Sequence, residues 1–262
     1  MINIDYSKYK RFFAFGCSFT NYFFPTWADV LSKEMPQAEY YNLGKSGAGN
    51  LLISNRVAQA NSKFKFCETD LVIIMWSTAY REDRYIEHNW KSAGNVYTQN
   101  EYDKNFVKNY CDPQGFMIRD LALIELTNGY LSNLSCDTHY LALGDLNFES
   151  SEMQSEDDPF VKKLNNIYPN TLDNIKPSVM SMMKPNYRTW IGRNGEDYHE
   201  GHPDTGQYYE YLERVGFPLS DTTRKYVEES MAKINSVTHQ IQFQDLFPEF
   251  DRRDHVFYNG LF

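Results

Sequence analysis

Short apolar runs alternate with stretches of helical spacing through the first half of the chain. Arg11 to Phe15, Glu39 to Asn42 and Leu71 to Trp76 have the length and composition of strands. Trp27 to Met35 reads as the first helix, stopped by Pro36. Leu51 to Asn61 reads as the second, with Leu51, Leu52, Val57 and Ala58 on one face. Strands that alternate with helices predict βαβ units and a parallel sheet, and the unbroken apolar run Leu71 to Trp76 suits a strand covered on both faces. The predicted class is α/β, with three layers (α/β/α) around a mostly parallel sheet.

The second half is less regular. Glu101 to Leu134 is helical in pattern, above all Ile118 to Leu134, and Thr138 to Leu143 is a further strand closing on Gly144-Asp145. Ser150 to Asp158 is acidic and polar, an exposed loop. From there to Tyr198 the prolines and asparagines allow short helices at best, around a patch from Tyr187 to Trp190. Pro203 to Arg214 and Thr222 to Val237 are the last helices, with Pro203 in the first helical position and His202 in the loop before it. The tail, Phe247 to Phe262, is expected to pack across the body. With no internal repeat and no long linker, the reading is one domain over 1–262 with an insertion around 150–190, a lid or substrate-facing segment.

Composition narrows the partners. The formal charge of −9, from 26 basic and 35 acidic residues, carries no locally basic cluster and argues against nucleic acid. No run approaches the roughly 18 apolar residues of a membrane span. The start of the chain lacks a basic region followed by an apolar run, so the expected location is cytoplasmic. The four cysteines are widely spaced without a CxxC pair, which fits reduced thiols better than disulfides or zinc. Aromatic residues make up 16% of the chain, enough to fill a core and leave some tyrosine and tryptophan for a sugar-binding groove.

Four segments carry candidate chemistry. Phe15-Gly16-Cys17-Ser18-Phe19-Thr20 follows the first strand, and a serine after a strand and a glycine stands at the mouth of a parallel sheet; the alternative is a helix N-cap by Ser18 or Thr20. Asn42-Leu43-Gly44-Lys45-Ser46-Gly47-Ala48-Gly49-Asn50 presents backbone amides before a helix, or is simply a glycine turn with Asn50 as helix cap. It fails as a P-loop, because Glu39 stands where glycine is needed, and as a dinucleotide fingerprint, because of Leu52. Trp76 to Asp83 puts Thr78 and Arg81 beyond the third strand, where Arg81 can face an oxyanion or pair with Glu82 or Asp83. Asp197 to Tyr208 holds His199 and His202, two of six histidines, as a general base, a weak metal pair, or a polar loop with Asp204 or Thr205 as cap.

In this order the segments resemble the SGNH (GDSL-type) hydrolases, a family of esterases and lipases. Gly16-Cys17-Ser18 looks like the first block, with Cys17 in place of the usual aspartate. Asn42-x-Gly44-x-x-Gly47 looks like the second block, and His202-Pro203-x-x-Gly206 like the last. The resemblance implies a flavodoxin-like SGNH fold, Ser18 as nucleophile, His202 as base, and the amides of Ser18 and Gly47 as oxyanion hole. Two departures stand out. The third block's asparagine is missing from Ser77-Thr78-Ala79-Tyr80, which leaves Thr78 or Arg81 to substitute. The family's acid position holds His199, so Asp197, Glu200, Asp204 or a backbone carbonyl has to orient His202. One lost oxyanion donor costs about 100- to 1,000-fold in turnover, and the orienting acid is worth about 10,000-fold.

The resulting expectation is a serine esterase or deacylase acting on a small-molecule or glycan ester, without cofactor or metal. The expected catalytic set is Ser18, His202, His199 and Asp197, with Asn50, Tyr198 and Trp190 at the substrate. The competing reading is a catalytically weak or inactive binding protein on the same fold, for example one recognising glycans in a phage or surface-polysaccharide system. Oligomeric state is open at this point.

Overall fold

The computed structural model describes residues 2, 4–98, 102–146, 158–184, 186, 188–248 and 250. Strand β1 (Arg11–Phe15) lies at the centre, flanked by β2 (Glu39–Asn42) and β3 (Asp70–Trp76), with β6 (Asp137–Ala142) beyond β3. All three pairings are parallel. Between β3 and β6 the chain forms an antiparallel hairpin, β4 (Arg81–Ile86) and β5 (Asn89–Asn95). A second hairpin, β7 (Arg188–Ile191) and β8 (Asp197–Glu200), precedes the last helices. The helices are α1 (Trp27–Ser32), α2 (Asn50–Phe64), α3 (Lys104–Tyr110), α4 (Pro113–Ser132), α5 (Pro159–Ile167), α6 (Pro169–Asp173), α7 (Val179–Met182), α8 (Thr205–Arg214), α9 (Asp221–Ser236) and α10 (Gln242–Leu246).

Helices α1, α8 and α9 pack on one another, and α2 and α4 form a separate layer joined by α6. Every residue of β3 is buried, as its continuous apolar composition requires of a strand with helices on both faces. The expected α/β/α architecture is therefore present. The strand order β2-β1-β3-β6 is extended by Ile175, which bridges in parallel to Tyr140, and gives a flavodoxin-like sheet. Much of the aromatic surplus is consumed here. Phe12 stacks on Tyr40 at 5.2 Å on one face of the sheet, and Phe13 on Tyr41 at 4.8 Å on the other.

The chain leaves β1 toward β2 on one side and reaches β3 on the other, so the sheet reverses direction between β1 and β3. Crevices at such reversals, beyond the carboxyl ends of the strands, are where open α/β sheets bind ligands. The loops after β1, β2 and β3 all end there. A second aromatic cluster joins Phe24 to Trp190, Phe243, Phe247 and Phe250, with Tyr22 and Tyr198 packed against it. It fastens the β7–β8 hairpin, and hence the segment that follows β8, to the loop after β1.

Both hairpins depart from the sequence reading. The β4–β5 turn holds Glu87 and His88 at φ 53° and 62°, so two ordinary side chains occupy a conformation usually marked by glycine or asparagine. The β7–β8 turn does contain the usual Asn194-Gly195 signal, with Gly195 at φ 82°. Pro203 is also not the first helical residue: α8 starts at Thr205, and Asp204 caps it by accepting from the Gln207 amide at 2.9 Å. Of the expected insertion, the described part forms α5, α6 and α7. Most of the acidic loop Ser150 to Asp158, the aromatic Tyr187 and almost all of the tail beyond Phe247 lie outside the described residues. No described helix is long and apolar enough to cross a membrane.

Candidate active site

Ser18 sits in a tight turn directly beyond β1. The Cys17 carbonyl accepts from the amides of Thr20 and Asn21 at 3.0 and 3.1 Å, and Thr20 locks the turn in place. The Thr20 carbonyl accepts from Thr26 Oγ1 and Asn42 Nδ2, both at 2.7 Å, and its hydroxyl accepts from the Trp27 indole at 3.2 Å. A Cβ on Gly16 would lie 2.1 Å from Thr20 Oγ1, so this close approach needs glycine. The N-cap reading of Ser18 and Thr20 does not hold, because α1 begins at Trp27, where the Asp29 carboxylate accepts from the Thr26 amide at 2.9 Å. Cys17 is fully buried in the core.

Ser18 Oγ lies 2.8 Å from His202 Nε2, and His202 Nδ1 lies 2.6 Å from Glu200 Oε1. The same Glu200 oxygen accepts from the His202 backbone amide at 2.7 Å, while Oε2 accepts from the Tyr22 hydroxyl at 2.9 Å. An ionised carboxylate only accepts, so Nδ1 carries the imidazole proton and Nε2 is left to accept from the serine hydroxyl. The ring is gripped by Phe19, at 4.6 Å between centroids, and stacked on Tyr22 at 4.1 Å. Burial and the Glu200 carboxylate push the Tyr22 phenol far above its usual value, so it keeps the proton it donates.

The carboxylate that meets His202 is that of Glu200, not Asp197, and His199 does not stand there either. Side chains alternate across β8: Tyr198 and Glu200 face inward, Glu200 only 2% exposed, whereas Asp197 and His199 face solvent. His199 Nδ1 meets Thr189 Oγ1 at 3.0 Å across the hairpin. The two histidines therefore point away from each other and do not form a metal pair. Asp204 is occupied as the α8 cap and by Arg188 at 3.0 Å.

Gly47 has φ 76°, and a Cβ there would lie 2.4 Å from the Ser92 carbonyl, so glycine is required twice over. Its carbonyl accepts from Gly94 of the β4–β5 hairpin at 3.0 Å. Among the described residues the amides of Ser18 and Gly47 have no protein acceptor. Arg81 reaches this loop: Nη1 donates to the Ala48 carbonyl at 3.1 Å and Nε to Thr78 Oγ1 at 3.3 Å. Arg81 is thus not paired with Glu82 or Asp83. Asp83 instead accepts from the Gly49 and Leu52 amides, both at 2.9 Å, capping α2 from the hairpin, so Asn50 is not that helix's cap.

Two expected substrate residues are structural. Asn50 is fully buried: Oδ1 accepts from the Ser77 amide at 2.9 Å, and Nδ2 donates to the Ser77 carbonyl and to Asp120 Oδ2, both at 3.0 Å. It holds the loop after β3 rather than a ligand. Trp190 is buried in the second aromatic cluster, 4.9 Å from Phe243 between ring centroids. Tyr198 is half-buried, and its hydroxyl lies 2.7 Å from that of Tyr22. Tyr22, absent from the sequence reading, lies in the run Tyr22-Phe23-Phe24 just after the serine turn, a signal of an aromatic wall at the site.

Asp120 gives this scaffold a pH dependence. Burial raises its pKa from 3.8 to about 6, even with Arg119 and Asn50 bound to it. The folded state thus takes up a proton more readily than the unfolded chain, and the Asp120 contribution is fully present below 3.8 and lost as pH rises through about 6. Relative to Asp120→Asn, the wild type is expected to lose about 3 kcal/mol of unfolding free energy between pH of roughly 3 and 7. Denaturant titrations of both proteins across that range test this; a constant difference refutes it.

No family model matches the sequence, and no curated protein matches it. Among solved structures, the chain is similar to a GDSL-like lipase from Bacteroides thetaiotaomicron, with 13% identity and a TM-score of 0.40 over 84% of this chain and 89% of that one. A putative acylhydrolase from Bacteroides fragilis gives 14% identity and a TM-score of 0.40 over 83% and 88%. An acetylxylan esterase from Geobacillus stearothermophilus gives 13% identity and a TM-score of 0.40 over 82% and 98%.

Proposed function

We propose that this chain is a serine ester hydrolase that deacylates a carbohydrate. The observation that carries the reading is the unbroken hydrogen-bonded line from Ser18 Oγ to His202 Nε2, and from His202 Nδ1 to Glu200 Oε1, at 2.8 and 2.6 Å. Ser18 Oγ attacks the ester carbonyl while His202 Nε2 takes its proton, and Glu200 stabilises the imidazolium that forms. The carbonyl oxygen becomes an oxyanion facing the amides of Ser18 and Gly47, with the Arg81 guanidinium beside the glycine loop and Thr78 tethered to it. Collapse of the tetrahedral species expels the alcohol, which takes the proton from His202. Water then attacks the acyl-serine with His202 again as base, restoring Ser18 and releasing the acid.

No cofactor enters these steps. The second reading, a binding protein without turnover, rests on the missing third-block asparagine, whose position Ala79 takes in a segment that Asn50 clamps at the Ser77 backbone. A fluorophosphonate probe separates the two. Mass spectrometry is expected to find the label on Ser18 and to lose it in Ser18→Ala. An unlabelled, folded wild type that also leaves short acyl esters intact rejects the hydrolase.

A further inference from the structure

A cavity of about 380 Å³ opens beside the catalytic line, and Tyr22 is the wall they share. Its ring stacks on His202 and also lines the cavity, while Ser46, the neighbour of Gly47, lines it as well. An ester carbonyl seated at Ser18 and Gly47 would lie beside this space, which has room for one of its two substituents. The lining combines aromatic faces such as Tyr22 and Phe243 with the side-chain amides of Asn21 and Gln240. Arg193, in the β7–β8 turn, is the one charged side chain of that lining among the described residues, and it forms no ion pair among them.

An alkyl acyl chain makes no use of the Gln240 amide or of Asn21 Oδ1, whose own Nδ2 already donates to the Gly44 carbonyl at 3.1 Å, and it leaves the exposed Arg193 to water. A sugar ring matches them, with C–H faces on the aromatics and hydroxyls on the amides. The unpaired guanidinium asks in addition for a fixed anion, in a chain whose net charge of −9 otherwise repels one. We infer that the cavity holds the alcohol half of the ester, and that this half is an acidic sugar whose carboxylate pairs with Arg193. The inference rests on the ester hydrolase reading for its orientation, but binding tests it without turnover.

Calorimetry with Ser18→Ala and de-esterified oligogalacturonate, against a neutral xylo-oligosaccharide of the same length, reads the subsite directly. The acidic ligand is expected to bind more tightly, and Arg193→Gln to shrink the acidic-to-neutral affinity ratio by about tenfold. Because Arg193 is exposed, the preference of the parent should also shrink between about 0.05 and 0.5 M salt. Equal binding of the two sugars, a ratio unmoved by Arg193→Gln, or no binding overturns the subsite. Wild-type turnover of acetylated esters without charge discrimination leaves the hydrolase standing and rejects the subsite. Charge-selective binding without turnover does the reverse.

Discussion

His202→Ala is expected to lower kcat on an activated acetyl ester by about 100,000-fold, and Ser18→Ala by a similar amount, with the double variant no worse than either. The two side chains act as one unit, since neither has a nucleophilic role without the other. Both variants should fold. In His202→Ala the buried Glu200 carboxylate still accepts from the residue 202 amide and from the Tyr22 hydroxyl, so it is not stranded without donors. Circular dichroism and a thermal melt establish folding, and steady-state kinetics supplies the rest. Additive losses, or a folded His202→Ala that retains a tenth of the activity, would show that this pair does not do the chemistry.

Glu200 should be graded by what replaces it. In Glu200→Ala both the orientation of His202 and the charge opposite its imidazolium are lost, and kcat is expected to fall by about 10,000-fold. Glu200→Gln should be milder, about 100-fold. The reason lies in the two N–H donors, Nδ1 and the His202 amide, that converge on Oε1. They select the amide oxygen for that position and send the NH₂ group toward the Tyr22 hydroxyl, which can accept. The imidazole tautomer then survives, and only the charge is lost. His199→Ala and Asp197→Asn should change kcat less than about twofold, as surface substitutions away from the site. Equal losses for Gln and Ala would refute the tautomer argument, and a large loss at His199 would refute the assignment of the acid.

The sheet was readable because its central strands β1 and β3 are strongly apolar and alternate with helical stretches. Arg11 to Phe15 and Glu39 to Asn42 match β1 and β2 residue for residue, β3 starts one residue earlier at Asp70, and β6 is displaced by one residue. Ser18, Gly47 and His202 drew attention because each stands in a short ordered motif after a strand or before a helix, and the structure brings Ser18 and His202 to 2.8 Å. The acid was left open among Asp197, Glu200 and Asp204, since position in a motif says nothing about the face of a strand. Only the pairing of β8 with β7, and the aromatic cluster beneath it, decides that Glu200 turns inward and His199 outward. Asn50 and Trp190 misled for a related reason, because a polar or aromatic residue near a site is as useful for holding loops as for touching ligands. The β4–β5 hairpin escaped notice because Glu87 and His88 make its turn without the residues that usually announce one.

The serine and the histidine that meet at 2.8 Å are separated by 184 positions in the chain. The four strands of the parallel sheet can assemble from residues up to 142, yet His202 arrives only after the hairpin that precedes α8. On a ribosome Ser18 is therefore made long before His202 exists, and on the proposed mechanism a chain released early lacks the base that ester cleavage needs. In refolding, long-range closure of this kind is slow compared with local helix formation. Ester turnover should consequently trail the recovery of helical circular dichroism, which makes it a clock for the last docking event.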